Sequence, residues 1–341
     1  MNILIVSNLI GATSVGGMFI QIQNTAKFLS EKKLNVTLHN PFEKIEKNKF
    51  DAIHIFGANI STYHFVNELH KKNIPFFLSP IFFSTHSTRK LKLALTSQKI
   101  FQKILSGTFN DIGIVNQMCK MAKAILPNTN EEKKLIQNSF NIEEEKIVVI
   151  PNGVDKNFAN GNPEEFEKQF AVKNFVLNVG YFGKRKNTLK QLNIASKMDL
   201  QFVFIGESFD DNYSYECKKI ISNSKNILHI NKLENNSELL KSAYFSAKVF
   251  CLPSLFETPG IAALEAAICG TNIAITKYGG TKEYFLNYAE YIEPKSEEAI
   301  RNAIEKSFQK EKSENLKIHI LENYTWEKIA QTTIDAYKKF L

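Results

Sequence analysis

Short apolar runs alternate with helical patterns from one end of the chain to the other. In the first half they are "NILIV" (residues 2 to 6), "NVTLH" (35 to 39), "DAIHIF" (51 to 56), "IPFFLS" (74 to 79), "KAILPN" (123 to 128) and "KIVVIP" (146 to 151). In the second half the rhythm repeats with "NFVLNVG" (174 to 180), "QFVFIG" (201 to 206), "NILHI" (226 to 230), "AKVFCLP" (247 to 253) and "TNIAIT" (271 to 276). Runs this short, lacking a strict polar alternation and spaced by helices, fit strands of parallel sheets covered on both faces. Each half therefore predicts a doubly wound, Rossmann-like α/β domain. With 341 residues the chain exceeds one ordinary core, which also favours two domains. The polar stretch from Asp155 to Lys173 interrupts the pattern and is read as a linker, giving a first domain over 1–155 and a second over 156–324.

Open α/β sheets bind ligands beyond the carboxyl ends of their strands, so the chemistry is sought in the loops that follow the strands. Three stand out: "SNLIGATSVGGMFIQ", "VGYFGKRKN" and "LPSLFETPGIAALEAAICG". The third holds Glu257 and Glu265 in otherwise apolar or small surroundings. Thr258 followed by Pro259 reads as an N-cap and first helical position, so a helix is expected from about Pro259. On a 3.6-residue period Ile261, Leu264, Glu265 and Ile268 share one face and alanines cover the rest, which leaves the helix no polar face. A carboxylate buried there without a partner costs several kcal/mol, so Glu265 must meet a protein donor or ligand hydroxyls, and the two hydroxyls of a ribose suit it. The open amides around Gly260, Ile261 and Ala262 suit an anion such as phosphate. The plainer alternative is a core glutamate bonded to a neighbouring amide, with Glu257 merely on a loop.

Composition narrows the classes. The net charge is +8, and residues 1 to 155 carry 18 Lys/Arg against 12 Asp/Glu, so most of the excess lies in the first half. A basic face suits anionic lipid, phosphorylated substrates or nucleic acid, but no Walker, RNP or zinc-finger pattern occurs, and a nucleic-acid partner is not expected. The segment "RKLKLALTSQKIFQKIL" (89 to 105) mixes lysines with leucine and isoleucine and suits peripheral contact with anionic lipid or a lipid-linked diphosphate; an amphipathic core helix is the alternative. No apolar run approaches the roughly 20 residues of a membrane span. The apolar start lacks a basic leader and runs into Gly16-Gly17, so it reads as a strand and not as a signal peptide. Cys119, Cys217, Cys251 and Cys269 lack CxxC spacing and are expected to be packed thiols in a reducing, cytoplasmic setting, with the inner membrane face as a peripheral site.

The Glu257 to Glu265 spacing resembles the E-x7-E motif of glycosyltransferase family 4, retaining enzymes of the GT-B fold that use nucleotide sugars. The resemblance runs over nearly the whole chain: Gly16-Gly17 in the first loop, "KIVVIPNGVDKNF" at the domain junction, "VLNVGYFGKRKN", the long "LPSLFETPGIAALEAAICGTNIAITKYGGTKEY", and a closing "YTWEKIAQTTIDAYKKFL". It implies two Rossmann-like domains facing a central cleft, with a last helix, 325–341, packed back on the first domain. It further implies that Glu265 binds the nucleotide ribose and that Glu257 lies near the donor sugar and its leaving phosphate. Gly260, Ile261, Ala262 and Thr258 would line the sugar or phosphate, and Lys186 would grip the diphosphate. Gly16, Gly17, Gln21 and His86 are the corresponding candidates in the first domain. Two departures matter: Tyr181 stands where the family often has arginine, leaving Arg185 as the substitute cation, and Ile81 stands where it often has histidine, leaving His86 or His54 to replace it.

The expected chemistry is stabilisation of a departing diphosphate by Lys186, Arg185 and helix-start amides. No D-x-D triplet occurs, so no metal and no cofactor are expected beyond the UDP- or GDP-linked donor itself. The acceptor would be a glycan or a lipid-linked molecule in cell-surface polysaccharide or glycoconjugate synthesis. Rival readings are a sugar-nucleotide epimerase of the same architecture and a non-catalytic nucleotide-sugar binder. A pair of dehydrogenase domains is disfavoured because no GxGxxG follows a strand.

Overall fold

The computed structural model describes residues 1–7, 16–46, 49–104, 110–209 and 211–341, with 99–104 described as helical backbone only. Two compact units result: Met1–Asn152 together with Trp326–Leu341, and Gly153–Thr325.

The first unit runs β1 (Asn2–Val6), α1 (Gly17–Glu31), β2 (Asn35–Leu38), β3 (Ala52–Phe56), α2 (Ile60–Lys71), β4 (Phe77–Ser79), α3 (Thr88–Ile104), α4 (Asp111–Met121), β5 (Ala124–Ile125) and α5 (Asn130–Phe140). Its five strands lie in the order β2-β1-β3-β4-β5, all parallel. Every side chain of β3 and β4 is buried, which is why those segments read as continuous apolar runs. Polar side chains fix where helices begin: Asn59 and Thr62 form a reciprocal capping box at α2, and Thr129 accepts from Glu132 N at α5.

The second unit runs α6 (Glu164–Phe170), β6 (Val176–Val179), α7 (Thr188–Ala195), β7 (Phe202–Ile205), α8 (Asn212–Ser222), β8 (Ile227–Ile230), α9 (Glu238–Ser246), β9 (Val249–Leu252), α10 (Ile261–Ile268), β10 (Asn272–Thr276), α11 (Thr281–Phe285), β11 (Glu290–Ile292), α12 (Glu297–Gln309) and α13 (Glu314–Asn323). Its six parallel strands lie in the order β11-β10-β9-β6-β7-β8. After β6 the chain winds one way through β7 and β8, then returns to the other side of β6 with β9. The crevice at this reversal opens between the carboxyl ends of β6 and β9. The last helix, α14 (Trp326–Phe340), belongs to the first unit, where it packs on α1.

Three sequence expectations need correction. "KIVVIP" is not a strand: it makes one isolated bridge, Ile125 to Ile147, because the chain only brushes the edge of β5. The stretch 155–173 is not a free linker, since it forms α6 and a 3-10 turn (Lys156–Ala159) and buries Phe158 and Phe166 in the second unit's core. Two aromatic anchors outweigh the polarity of their neighbours. The helix after Glu257 begins at Ile261 with Gly260 as its N-cap, so Thr258 is not the cap. Gly260 turns the chain at φ +88, a conformation that glycine adopts freely, and this places the helix start two residues past Pro259. The pattern also did not disclose β11, whose three residues sit between polar flanks.

All four cysteines are free and buried. Among the described residues, no helix is long and apolar enough to cross a membrane.

Candidate active site

The loops leaving β6 and β9 meet at the reversal point of the second sheet. Gly206 at the end of β7 permits this close packing of strand ends, because a Cβ there would stand 2.0 Å from the carbonyl oxygen of Gly180. From the β6 loop, Lys186 Nζ reaches Glu257 Oε1 at 2.7 Å, and Arg185 Nη1 reaches the same oxygen at 3.3 Å. The Arg185 guanidinium also donates to the carbonyl of Phe256 at 3.2 Å and lies over the Phe256 ring. The two loops are stitched further by Leu255 N to Arg185 O and by Asn187, whose amide donates to the carbonyls of Pro253 and Pro294. Lys184, the third basic residue of the loop, is exposed.

Glu257 is buried, with only 4% of its surface exposed. Burial pushes its pKa up, but Lys186 and Arg185 pull it down by more, so the group is held below its ordinary value and stays ionised. Burial likewise pulls the Arg185 pKa down, and the Glu257 carboxylate, with hydrogen bonds to Glu257 and Tyr181, more than offsets it. Tyr181, the residue in place of the family's arginine, lays its ring 2.5 Å from where a Cβ on Gly183 would stand, and its ring centroid is 5.8 Å from that of Phe209. The backbone of Glu257 is fixed by its N–H to Tyr278 O and by Gly279, where a Cβ would stand 2.1 Å from the Glu257 carbonyl oxygen.

Glu265 sits on α10 and is also 4% exposed. It has a protein partner: Tyr244 of α9 donates its hydroxyl to Glu265 Oε2 at 2.7 Å. Burial raises the Glu265 pKa to about 7, with the Tyr244 hydrogen bond opposing the rise. Of the two partners outlined from the sequence, the structure supplies the protein donor, a tyrosine hydroxyl on one carboxylate oxygen. Ile261, Ala262, Thr258 and Gly260 are half-buried at the start of α10. The first amides of that helix are free of intrahelical partners and the macrodipole there favours an anion.

The first-unit candidates are more dispersed. Gly16 is the N-cap of α1 in an extended conformation and Gly17 its first residue; both are exposed, with no described atom within 4 Å of an added Cβ. Neither packing nor a left-handed φ demands glycine at either position. The preceding loop, 8 to 15, lies outside the described residues. Gln21 is buried, and its amide donates to Asn128 Oδ1 at 2.9 Å, so it is neither exposed nor free to turn its amide outward. His86 is exposed in the loop before α3. His54 is a core residue: its ring bridges Tyr337 of α14 (2.7 Å) and Ser79 of β4 (2.9 Å), and burial lowers its pKa to about 3. Ile81 adopts φ +52, which is strained for a β-branched residue. The next amide, Phe82 N–H, is gripped at 2.7 Å by Glu132, a fully buried carboxylate that also accepts from Asn128 N at 2.8 Å.

Sequence reasoning did not find Tyr244, Gly279 or Glu132. The T-x-x-E spacing of Thr129 and Glu132 was a readable helix-start signal. Nothing in the sequence pointed from Tyr244 to Glu265. Among the described residues, no group of three His, Cys, Asp or Glu side chains is placed to hold a metal ion.

Two family models match: "Glycosyltransferase Family 4" over residues 33–158 and "Glycosyl transferases group 1" over residues 162–319. Among curated proteins, an uncharacterized glycosyltransferase of Methanocaldococcus jannaschii is 25% identical over 225 residues, covering 60% of this chain and 57% of its own. A probable sucrose-phosphate synthase of Thermosipho melanesiensis is 26% identical over 239 residues, covering 64% and 55%. The match therefore spans little more than half the length of these relatives. Among solved structures, sucrose-phosphate synthase from Thermosynechococcus elongatus superposes with a TM-score of 0.76 at 15% identity, covering 99% of each chain. Anabaena HepE, in complex with UDP and glucose, gives 0.70 at 15% identity, again over 99% of each chain.

Proposed function

Because this chain belongs to glycosyltransferase family 4 and carries the GT-B fold, we propose that it transfers a sugar from a UDP- or GDP-linked donor to a glycan or lipid-linked acceptor with retention of configuration. The observation that carries the reading is the convergence of Lys186, Arg185 and Glu257 at the reversal point of the second sheet, one loop and one helix from Glu265. Lys186 and Arg185 are assigned the diphosphate. Their charges stabilise the leaving group as the glycosyl–phosphate bond breaks and negative charge builds there. The start of α10, at Gly260 to Ala262 with Thr258 before it, adds open amides on the same side. Glu265 accepts from ribose hydroxyls through the oxygen that Tyr244 leaves to it, and Glu257 faces the donor sugar. The departing phosphate itself takes the acceptor's proton.

Two basic side chains in place of a D-x-D triplet support transfer without a divalent ion. Gly16 and Gly17 suit a close approach of ligand to backbone, since no described atom lies within 4 Å of where a Cβ would stand on either. His86, exposed before α3, is the candidate for the histidine near the donor sugar, whereas Gln21, turned inward, acts only through the loop it holds at Asn128. Arg89, Lys90 and Lys92 are exposed on α3 around Leu93, itself 69% exposed, which supports peripheral contact with an anionic lipid surface. Four buried free thiols support a cytoplasmic setting. The reading gives nucleic acid no part.

Release of UDP or GDP from a panel of nucleotide sugars, with and without simple glycan and lipid-diphosphate acceptors, tests this reading. Acceptor-dependent release from one donor is expected, and it should be lost in Lys186→Ala. Interconversion of donor sugars without acceptor would instead identify an epimerase, and tight donor binding with no turnover under any acceptor a binder.

A further inference from the structure

Both cations of the presumed diphosphate site are already engaged by an anion that belongs to the protein. Glu257 Oε1 takes Lys186 at 2.7 Å and Arg185 at 3.3 Å, while Oε2 lies 3.3 Å from where a Cβ on Gly260 would stand, at the start of α10. The carboxylate therefore sits between the cations and the helix start, beside the seat a phosphate would take. It has little room to withdraw, because its backbone is held by Tyr278 O and packed against Gly279.

We propose that Glu257 is a resident counter-ion that sets the charge selectivity of this site. It favours a diphosphate esterified at both ends over one with a free terminal phosphate. A nucleotide sugar carries about two negative charges on its diphosphate, and the nucleoside diphosphate left after transfer carries about three at neutral pH. The added charge develops on the terminal phosphate, the group nearest the carboxylate. Like charges at such distances inside a protein oppose each other strongly, so Glu257 weakens product more than donor and speeds product release. In the empty site the same carboxylate keeps Lys186 and Arg185 oriented. This inference rests on the reading of the site as a diphosphate site, and the test separates the two.

The test is isothermal titration of the wild-type chain and of Glu257→Gln with inorganic pyrophosphate, with UDP against UDP-glucose, and with GDP against GDP-mannose. Glutamine keeps an oxygen for Lys186 and removes only the charge. Glu257→Gln is expected to bind pyrophosphate and the free nucleoside diphosphate about tenfold more tightly than wild type, with the sugar esters gaining less. The gain should shrink as salt rises. If Glu257 served only to touch sugar hydroxyls, pyrophosphate affinity would not change; if it were only a scaffold for Lys186, affinity would fall. Either result overturns the counter-ion. Should Glu257→Gln fail to fold, Glu257→Ala also removes the charge, and a gain in pyrophosphate affinity despite the lost oxygen for Lys186 is then the expected result, with no gain overturning the counter-ion. Failure of both proteins to bind any of the probes overturns the diphosphate site itself, and the counter-ion with it.

Discussion

At the scale of single residues, the two glutamates of one motif live in opposite electrostatic environments. Glu257 is held ionised by two cations, whereas Glu265, hydrogen-bonded by the Tyr244 hydroxyl, is pushed by burial to a pKa of about 7. Between its ordinary pKa and about 7 the unfolded chain releases the Glu265 proton while the folded chain keeps it, so stability falls as pH rises through that window. Glu265→Gln removes this loss. The variant should melt higher than wild type at pH 8 and show much less gain at pH 4. Its nucleotide affinity should drop, because the amide keeps one acceptor but loses the charge, and that of Glu265→Ala, which loses both, should drop by about 1.5 to 3 kcal/mol. Calorimetric melts at the two pH values and a nucleotide titration check both halves, and higher stability with unchanged affinity would mark Glu265 as a core residue. The cations make a graded series. Lys186→Ala should lower turnover by about 100-fold or more. Arg185→Ala should cost less, because part of its guanidinium is committed to the Phe256 carbonyl, and Lys184→Ala almost nothing, since that side chain is exposed. Equal, small effects in steady-state assays of all three would show that the phosphates are held elsewhere.

At the scale of elements, the site depends on how closely the loops at the strand ends can approach. Gly279 has φ +95, and a Cβ on it would overlap the carbonyl oxygen of Glu257. Gly279→Ala is therefore expected to displace the loop that carries Glu257, lowering both the melting temperature and turnover. Gly16→Ala provides the contrast, since no described atom lies within 4 Å of an added methyl there, and it should leave the melting temperature nearly unchanged. A melting comparison of the two variants decides whether these glycines differ as the backbone geometry says. Strand positions were legible in the sequence because a buried parallel strand is a bare apolar run, and ten of the eleven strands among the described residues coincide with one. Helix starts were less legible. The α10 start was displaced by a glycine turn that no propensity rule indicates, and α6 was hidden because its anchors are two phenylalanines in a polar sequence.

At the scale of the whole molecule, the proposed mechanism assigns the charge that meets the diphosphate to Lys186 and Arg185, and the prediction is that exhaustive chelation leaves turnover intact. An assay with and without EDTA checks this; loss of activity restored by magnesium or manganese would assign the diphosphate charge to an ion and not to Lys186 and Arg185. The first unit offers a comparable buried polar network in Gln21, Asn128 and Glu132, which ties α1 to the loops after β4 and β5. Ile81, a β-branched residue held at φ +52, lies where the sequence departs from its family.

The sequence by itself determined the fold class, since hydrophobic periodicity and spacing suffice to specify parallel α/β layers. It also marked the loops that carry the chemistry, because an ionisable residue within an apolar stretch needs a reason wherever it folds. Only the tertiary structure decided who meets whom. Lys186 reaches Glu257 across 71 positions of sequence and Tyr244 reaches Glu265 across 21, while His54 is absorbed into the core by Tyr337, 283 positions away. Such partnerships depend on the order of strands in a sheet and on sub-ångström clearances at glycines. Neither leaves a periodic trace along the chain, so packing alone turns two glutamates of one motif into an ionised counter-ion and a carboxyl poised near neutrality.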